Sequence, residues 1–324
     1  MWAWLVLYFC IGVVGTWLAR RYALKQQLID QPGERRSHST ATPRGGGIAI
    51  VIALLVAVLA LAIRRPQDAP LLVVFALGLA LVAGVGWIDD HRPLSPWWRL
   101  SVHVLAAALF AFAVADVHGS PALAVCAFIA TMALTNVWNF MDGINGLAAS
   151  QAMIVGAAIA WLVGGSWAGL GWALAAACAG FLPFNFPRAR IFLGDVGSGA
   201  IGFTVAALLV VACARSGAKS ALLLLPLTAF LTDAGLTLLR RVLRGERWWT
   251  AHTQHAYQAW ARRRGHAWVT LAYAAVTLLS IALWPSLGSS SPFFIVCITA
   301  AWYTCAAFLW WWLQRVYERA VIKI

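Results

Sequence analysis

Residues 45–63, GGGIAIVIALLVAVLALAI, decide the fold class of this chain. They carry no charge and match the length of about 20 residues that a helix needs to cross a bilayer. Ten other apolar stretches follow the same pattern, each bounded by charge, glycine or proline. The eleven predicted spans are 2–19, 45–63, 69–88, 99–115, 121–140, 149–164, 167–184, 199–214, 220–238, 267–284 and 292–313. We therefore predict an all-α, polytopic transmembrane helix bundle that forms one membrane domain over residues 1–324.

The composition excludes several other classes of protein. Of the 324 residues, 62% are hydrophobic and only 11% are charged, and the mean hydropathy is +0.79. Soluble domains carry about 25% charged residues. A soluble enzyme, a disordered chain and a disulfide-rich secreted module are therefore ruled out. The six cysteines lie in apolar runs without a CxxC pair, so neither a disulfide framework nor a structural metal is indicated.

Basic residues fall mainly on one side of the predicted bundle. Of the 24 Lys and Arg, 20 flank the connections on one side and 4 those on the other. Because cytoplasmic loops are rich in Lys and Arg, we expect the N-terminus outside and the C-terminus in the cytoplasm. This topology explains the surplus of base without a nucleic-acid partner. The cytoplasmic loops expected to form the active face are 20–44, 89–98, 141–148, 185–198 and 239–266.

The few acids converge on that same side. Five of the eleven are Asp89, Asp90, Asp142, Asp195 and Asp233. An aspartate at the C-terminal end of a helix opposes the helix dipole, so the pair at 89–90 needs a cation or a basic partner. Oxygen ligands of this kind suit Mg²⁺, which binds through few carboxylates together with substrate phosphates.

Amides accompany the acids. Asn136, Asn139 and Asp142 are spaced three apart and share one helix face, and Asn145 continues the series. Their carbonyls could complete a Mg²⁺ shell, or they could serve only in hydrogen bonds between helices.

Two glycine-rich segments, 42–47 and 194–199, precede predicted spans. Free backbone N–H groups at a helix N-terminus suit phosphate binding, and Arg44, Arg188 and Arg190 lie nearby. Close helix packing is the alternative use of these glycines.

The last polar loop contains His252, His255 and Tyr257 between clusters of arginine. No third ligand stands at zinc spacing, so contacts to phosphate or sugar are favoured over a zinc site. A solvated interfacial loop would explain the arginines but not the histidines.

These motifs together resemble the polyprenyl-phosphate N-acetylhexosamine-1-phosphate transferases. The resemblance covers residues 35–258 and keeps the order of the family's motifs. The matching segments are His38-Ser-Thr-Ala-Thr-Pro-Arg-Gly-Gly46, Asp89-Asp90 with Leu94-Ser95, Asn136-x-x-Asn139-Phe-Met-Asp142-Gly-Ile-Asn145-Gly, Arg190-Ile-Phe-Leu-Gly-Asp195-Val-Gly-Ser198 and His252-x-x-His255-x-Tyr257-Gln258.

The resemblance implies an enzyme that transfers a sugar-1-phosphate from a UDP-sugar to undecaprenyl phosphate and releases UMP. It implies Mg²⁺ as cofactor, with Mn²⁺ as the alternative ion, and a multi-pass location in the bacterial inner membrane with a cytoplasmic active site. Asp195 and Asn139 are the expected metal ligands. Asp89, Asp90 and Asp142 are the expected catalytic residues. The residues expected to bind the substrates are Arg44, Asn136, Asn145, Arg188, Arg190, Ser198, His252, His255 and Tyr257.

Two departures within the motifs favour one branch of the resembled family. His252 and His255 are separated rather than part of a histidine run, and Pro93 replaces a further acid. Both favour the branch that initiates O-antigen or other surface glycans with an N-acetylated hexosamine or a 6-deoxyhexosamine. The peptidoglycan enzyme that uses UDP-MurNAc-pentapeptide and a transporter of anionic substrates are the alternatives. Membrane lipids are expected partners, and a homodimer is left open.

Overall fold

The computed structural model describes residues 2–31, 33, 40–247, 249–250 and 252–321. The described chain is all-α apart from two short antiparallel strands, β1 (Ile29–Asp30) and β2 (Thr42–Pro43). The helices are α1 (Trp2–Lys25), α2 (Ile48–Arg64), α3 (Ala69–His91), α4 (Pro96–His118), α5 (Pro121–Phe140), α6 (Leu147–Val163), α7 (Gly165–Asn185), α8 (Asp195–Ser216), α9 (Thr228–Leu243), α10 (Ala256–Arg264), α11 (His266–Ala282), α12 (Trp284–Leu287) and α13 (Pro292–Val321). The all-α prediction is therefore confirmed.

Eight helical segments within the described ranges are long and apolar enough to cross a membrane, which makes the chain a multi-pass membrane protein. Two shorter apolar helices, α2 and α6, add to these. The break between the predicted spans 149–164 and 167–184 is a turn, because Gly164 and Gly165 both adopt positive φ angles between α6 and α7. The side of the membrane on which each terminus lies stays a prediction.

The predicted ninth span, 220–238, differs from a simple helix. It begins as a 3-10 helix, Gly217–Leu227, and continues as α9. Together with α8 it forms one continuous helical run, Asp195–Leu243. Pro226 has no N–H to donate and favours such an irregular start. The two strands and the short helix α10 inside the last loop were also not predicted.

Helix α8 forms the centre of the bundle. Every residue from Val196 to Ala212 is buried, because α2, α3, α5 and α6 surround it. A helix that is apolar on all sides belongs in such a position. Glycines allow the close crossings: a Cβ on Gly47 would collide with the Cα of Gly197, and one on Gly202 with the carbonyl of Leu134. The packing fixes the start of α8, and with it Asp195.

The predicted cytoplasmic connections meet at one end of the bundle. Gly46 and Gly47 donate backbone hydrogen bonds to the carbonyls of Phe192 and Leu193 at 2.9 and 2.8 Å. The backbone N–H of Gly146 donates to Oδ1 of Asn185 at 2.6 Å. Loops that are far apart in sequence are thereby held together at the start of α8. His38, which begins the first matched motif, lies outside the described residues.

Candidate active site

A cavity of about 320 Å³ opens at this end of the bundle. Its walls come from α3, α4, α5 and α8, from the loop before α10, and from α10 itself. The predicted site residues that line it are Asn136, Asn139, Asp142, Asp195, His252, His255 and Tyr257. The fold therefore brings together side chains from three separate motifs.

Asp195, the first residue of α8, is the polar centre of the cavity. Its Oδ2 accepts a hydrogen bond from Nη1 of Arg99 at 2.6 Å, and its Oδ1 accepts one from Nδ2 of Asn139 at 3.2 Å. The same amide of Asn139 also donates to Oγ of Ser198 at 3.1 Å. The hydrogen bonds involve the amide nitrogen of Asn139 and not its amide oxygen.

Arg99 links Asp195 to Asp89. Its Nη1 also donates to Oδ2 of Asp89 at 3.0 Å, while the backbone N–H of Leu94 donates to the other oxygen at 2.6 Å. Sequence reasoning counted Arg99 only as a charge that reports topology. Its position ten residues after Asp89 is visible in the sequence, but its shared contact with Asp195 depends on the packing of α3, α4 and α8.

Asp90 has a different environment from its neighbour Asp89. Its side chain is buried, and its two carboxylate oxygens accept the backbone N–H groups of Asp195 and Val196, both at 3.1 Å. Nε of Arg44 lies 3.9 Å away. A carboxylate at a helix N-terminus satisfies free N–H groups and complements the dipole. Asp90 therefore holds the start of α8, and its predicted catalytic role would be exerted through Asp195.

Asp142 lines the cavity without a polar partner. Among the described residues, no side chain or backbone group forms a hydrogen bond or ion pair with its carboxylate. Burial raises the pKa of Asp142 well above its usual value, and the charges of Asp195 and Asp90 raise it further. A bound divalent cation would stabilise the ionised form of this carboxylate, and carboxylate and amide oxygens are the ligands that Mg²⁺ prefers. The side chains of Asp142, Asp195 and Asn139 thus fit a Mg²⁺ ion chemically.

A second buried aspartate, Asp233, holds the loop that contains His252 and His255 and the start of α10. Asp233 on α9 accepts the backbone N–H groups of Ala256 and Tyr257 at the start of α10, both at 2.9 Å. It also accepts the hydroxyl of Tyr273 at 2.7 Å, and Nδ1 of His255 lies 3.6 Å away. The sequence placed Asp233 on the active side but assigned it no role. Its function is to position α10 and the residues before it.

Rings line the same wall of the cavity. His252 and His255 stack with centroids 4.9 Å apart, and His255 stacks on Tyr257 at 5.6 Å. The hydroxyl of Tyr257 donates to the carbonyl of Phe140 at 2.9 Å, which ties α10 to the end of α5. Flat rings beside polar groups suit a ligand with a base or a sugar.

Five of the predicted substrate-binding residues are not among those that line the cavity: Arg44, Asn145, Arg188, Arg190 and Ser198. Asn145 donates to the carbonyl of Pro187 at 3.0 Å and thereby joins two loops. Arg190 donates to the carbonyl of Pro183 and stacks on Phe184, and Arg188 is exposed. The glycine-rich segments likewise serve the close packing of α2 on α8, which accounts for Gly47 and Gly197.

The chain is similar in sequence to known proteins. Residues 71–213 match the model of "Glycosyl transferase family 4". The chain is 33% identical over 236 residues to the decaprenyl-phosphate N-acetylglucosaminephosphotransferase of Mycobacterium leprae, covering 63% of this chain and 58% of that protein. It is 29% identical over 205 residues to the undecaprenyl-phosphate alpha-N-acetylglucosaminyl 1-phosphate transferase of Thermotoga maritima, covering 62% and 61%.

A protein with a different donor is similarly related. The phospho-N-acetylmuramoyl-pentapeptide-transferase of Heliobacterium modesticaldum is 29% identical over 241 residues, which cover 64% of this chain and 73% of that protein. The match spans less than two thirds of the length of the N-acetylglucosamine relatives.

Proposed function

We propose that this chain, whose residues 71–213 match the model of glycosyl transferase family 4, transfers a sugar-1-phosphate from a UDP-sugar to undecaprenyl phosphate and releases UMP. One observation carries this proposal: Asp195, Asn139, Asp142 and Arg99 meet in one cavity beside stacked rings. Carboxylates with an amide suit a divalent cation, an arginine suits phosphate, and rings suit a nucleoside.

The chemistry of the acceptor favours alignment over proton transfer. A phosphate monoester has a second pKa of about 6 and is largely dianionic at neutral pH, so its attacking oxygen needs little deprotonation. The main barrier is to bring two anions together in line. Arg99 is placed to offer its guanidinium to phosphate oxygens while Asp89 and Asp195 orient it. We therefore assign Asp89 to orientation of this arginine rather than to general base catalysis.

A Mg²⁺ ion, held by Asp195 and Asp142 with the amide oxygen of Asn139, would neutralise the charge that develops on the diphosphate. Mn²⁺ could replace it at the same oxygen ligands. In the absence of the ion, the Arg99 guanidinium partly compensates Asp195, whereas Asp142 has no counter-charge among the described residues. This difference supports the proposal that a cation acts beside the arginine in the site.

For the donor we propose UDP-N-acetylglucosamine or a related N-acetylated 6-deoxyhexosamine, as expected of an enzyme that initiates a surface glycan. The names of the M. leprae and T. maritima relatives support this choice, as does the separation of His252 from His255. UDP-MurNAc-pentapeptide is the second candidate, because a relative with that donor matches at similar identity. We further propose that the cavity faces the cytoplasm, where nucleotide sugars are made.

The test is an assay of the purified full chain with undecaprenyl phosphate, Mg²⁺ and a panel of UDP-sugars that includes UDP-MurNAc-pentapeptide. We expect UMP release with an N-acetylhexosamine donor, and none when Mg²⁺ is chelated. The variant Asp195→Asn should abolish release yet fold normally, while Asp116→Asn, exposed at the other end of α4, should behave as wild type. No UMP from any donor would refute the proposed reaction and favour the transporter alternative.

A further inference from the structure

A second cavity, of about 500 Å³, lies at the opposite end of the bundle. It is bounded by the first turns of α1, the last turn of α2 and the first turns of α7. The C-terminal end of α7 and the segment before α2 pack beside the candidate active site, so this second cavity is remote from it. Nothing in the proposed reaction uses it.

One side of this cavity carries positive charge without a counter-ion. Arg64 and Arg65 line it, and neither forms an ion pair within the part of the chain that the structure describes. The guanidinium of Arg64 lies 4.3 Å from the ring centroid of Trp4, which fixes its direction. Asp68, the acid that follows in sequence, accepts a hydrogen bond from Ser166 at 2.7 Å instead.

A phenol hydroxyl adds a donor. The side chain of Tyr8 is 4% exposed and lines the same cavity. Its hydroxyl makes no hydrogen bond with any other residue in the described ranges. The hydroxyl can therefore donate to an acceptor within the cavity. Two guanidinium groups and a phenol together match the oxygens of a phosphate.

The other side of the cavity is apolar. Leu61, Ala168 and Trp172 line it, and Gly169, which has no side chain, lets Leu61 of α2 approach α7 closely. The adjoining lipid-facing surface is apolar as well, since Leu59 is 63% and Ile63 70% exposed. A soluble anion would use only the arginines, whereas a molecule with a phosphate and an acyl chain would use both sides.

We propose that this cavity binds one anionic phospholipid from the leaflet opposite the candidate active site. Its phosphate contacts Arg64, Arg65 and Tyr8, and the upper part of an acyl chain lies along Leu61 and Ala168. Each interfacial arginine contributes about 1 kcal/mol of attraction to an anionic membrane surface. Loss of both should therefore weaken binding by about tenfold or more.

The experiment is native mass spectrometry of the purified full chain, titrated with dioleoyl-phosphatidylglycerol or with dioleoyl-phosphatidylcholine. We expect the wild type to bind phosphatidylglycerol more tightly than phosphatidylcholine, and the double variant R64Q/R65Q to lose that preference. Ala60→Phe, which fills the cavity but keeps both arginines, should also weaken binding of phosphatidylglycerol. Tyr8→Phe should weaken it less than the double variant does.

Arg21→Gln is the matched control. Arg21 lies 4.5 Å over the ring of Trp17 on α1, in the same kind of contact as Arg64 over Trp4, but far from the cavity. An equal loss in this control would overturn the proposal, because it would reflect general surface charge. Inorganic phosphate is a second control. If it competes with the lipid through the same arginines and binds with the same affinity, the proposal is overturned, since the ligand would then be a soluble anion. Unchanged binding in R64Q/R65Q would overturn it directly.

Discussion

Partners, and not residue type, distinguish the aspartates at the candidate active site. Asp89 and Asp195 share Arg99, Asp90 accepts two backbone N–H groups, and Asp142 has no polar partner among the described residues. Each carboxylate therefore differs in what it can do: orient an arginine, hold a helix, or attract a cation.

Replacement of Arg99 by glutamine should lower turnover by about 100-fold or more, because a fixed cation beside the reacting phosphates would be lost. Arg99→Lys should recover part of this loss, since one ammonium cannot reproduce the spread of guanidinium contacts. The measurement is the rate of UMP release at saturating donor. Arg92→Gln, at an exposed position seven residues earlier, is the control. Equal rates for the variants R99Q and R92Q would remove Arg99 from the site.

Asp142→Asn should change both the thermal stability of the protein and the response of that stability to Mg²⁺. In protein without divalent cations, replacement of this buried carboxyl group should raise Tm by roughly 1–2 °C, because about 1 kcal/mol shifts Tm by 2–4 °C in chains of 150–250 residues and by less in a chain of 324. Mg²⁺ should then raise Tm of the wild type but not of the variant, because the variant has lost a charged ligand. Thermal unfolding with and without Mg²⁺ measures both effects. A Mg²⁺-dependent rise that survives in D142N would contradict the assignment of Asp142 as a ligand.

In two helices, α8 and α10, a buried aspartate accepts the backbone N–H groups of the first turn. α8 begins at Asp195 with its first N–H groups on Asp90, and α10 begins with its first N–H groups on Asp233. Capping by a side-chain acceptor stabilises a helix by about 0.5–2 kcal/mol. In both cases, the secured helix carries cavity residues at or next to its start. Precise placement of the site therefore depends on acids that need not touch a substrate.

Asp233→Asn should raise KM for the nucleotide sugar about tenfold, with a smaller change in kcat. The amide cannot accept both N–H groups of α10 and the Tyr273 hydroxyl as the carboxylate does, so His255 and Tyr257 would shift. Steady-state kinetics with varied UDP-sugar measure this split. Tyr273→Phe removes only one of these hydrogen bonds and should have a weaker effect of the same kind. An unchanged KM would show that Asp233 does not position the donor-binding wall.

Gly86→Ala tests the crossing of α3 and α8. A Cβ at Gly86 would collide with the backbone of Asp195 and Val196, whereas nothing lies within 4 Å of a Cβ at Gly84. Overpacking costs about 1–3 kcal/mol and would displace Asp195. We expect G86A to lower both Tm and UMP release, and G84A to leave both near wild type. Because both changes replace glycine by alanine in one helix, their difference isolates the contact. Equal behaviour would contradict the crossing.

The chain as a whole has two unlike ends, one with the acidic cavity and one with the arginine-lined cavity. The charge pattern predicts that the first end faces the cytoplasm. In a variant without native cysteines, a membrane-impermeant thiol reagent added to intact cells should label Gln67→Cys but not Arg244→Cys. Both positions are exposed and lie at opposite ends. Labelling of R244C in intact cells, with Q67C protected, would reverse the proposed orientation.

The sequence by itself determined the all-α membrane class, the approximate spans and the motifs that carry the candidate site. These properties follow from local composition: apolar runs of bilayer length, and rare acids next to them. Asn136 and Asn139 do share a face of α5, but α5 ends at Phe140, so Asp142 and Asn145 lie in the connection after it and not on the predicted helix face.

Only the tertiary structure decided which role each aspartate can have. It showed that Arg99 joins Asp89 to Asp195, that Asp90 and Asp233 secure helix starts, and that Arg188 and Arg190 lie away from the cavity. The physical reason is that a carboxylate's role depends on the donors and charges within a few ångströms of it. Those neighbours come from helices up to about a hundred residues apart, and packing at glycines, which no local pattern encodes, brings them together.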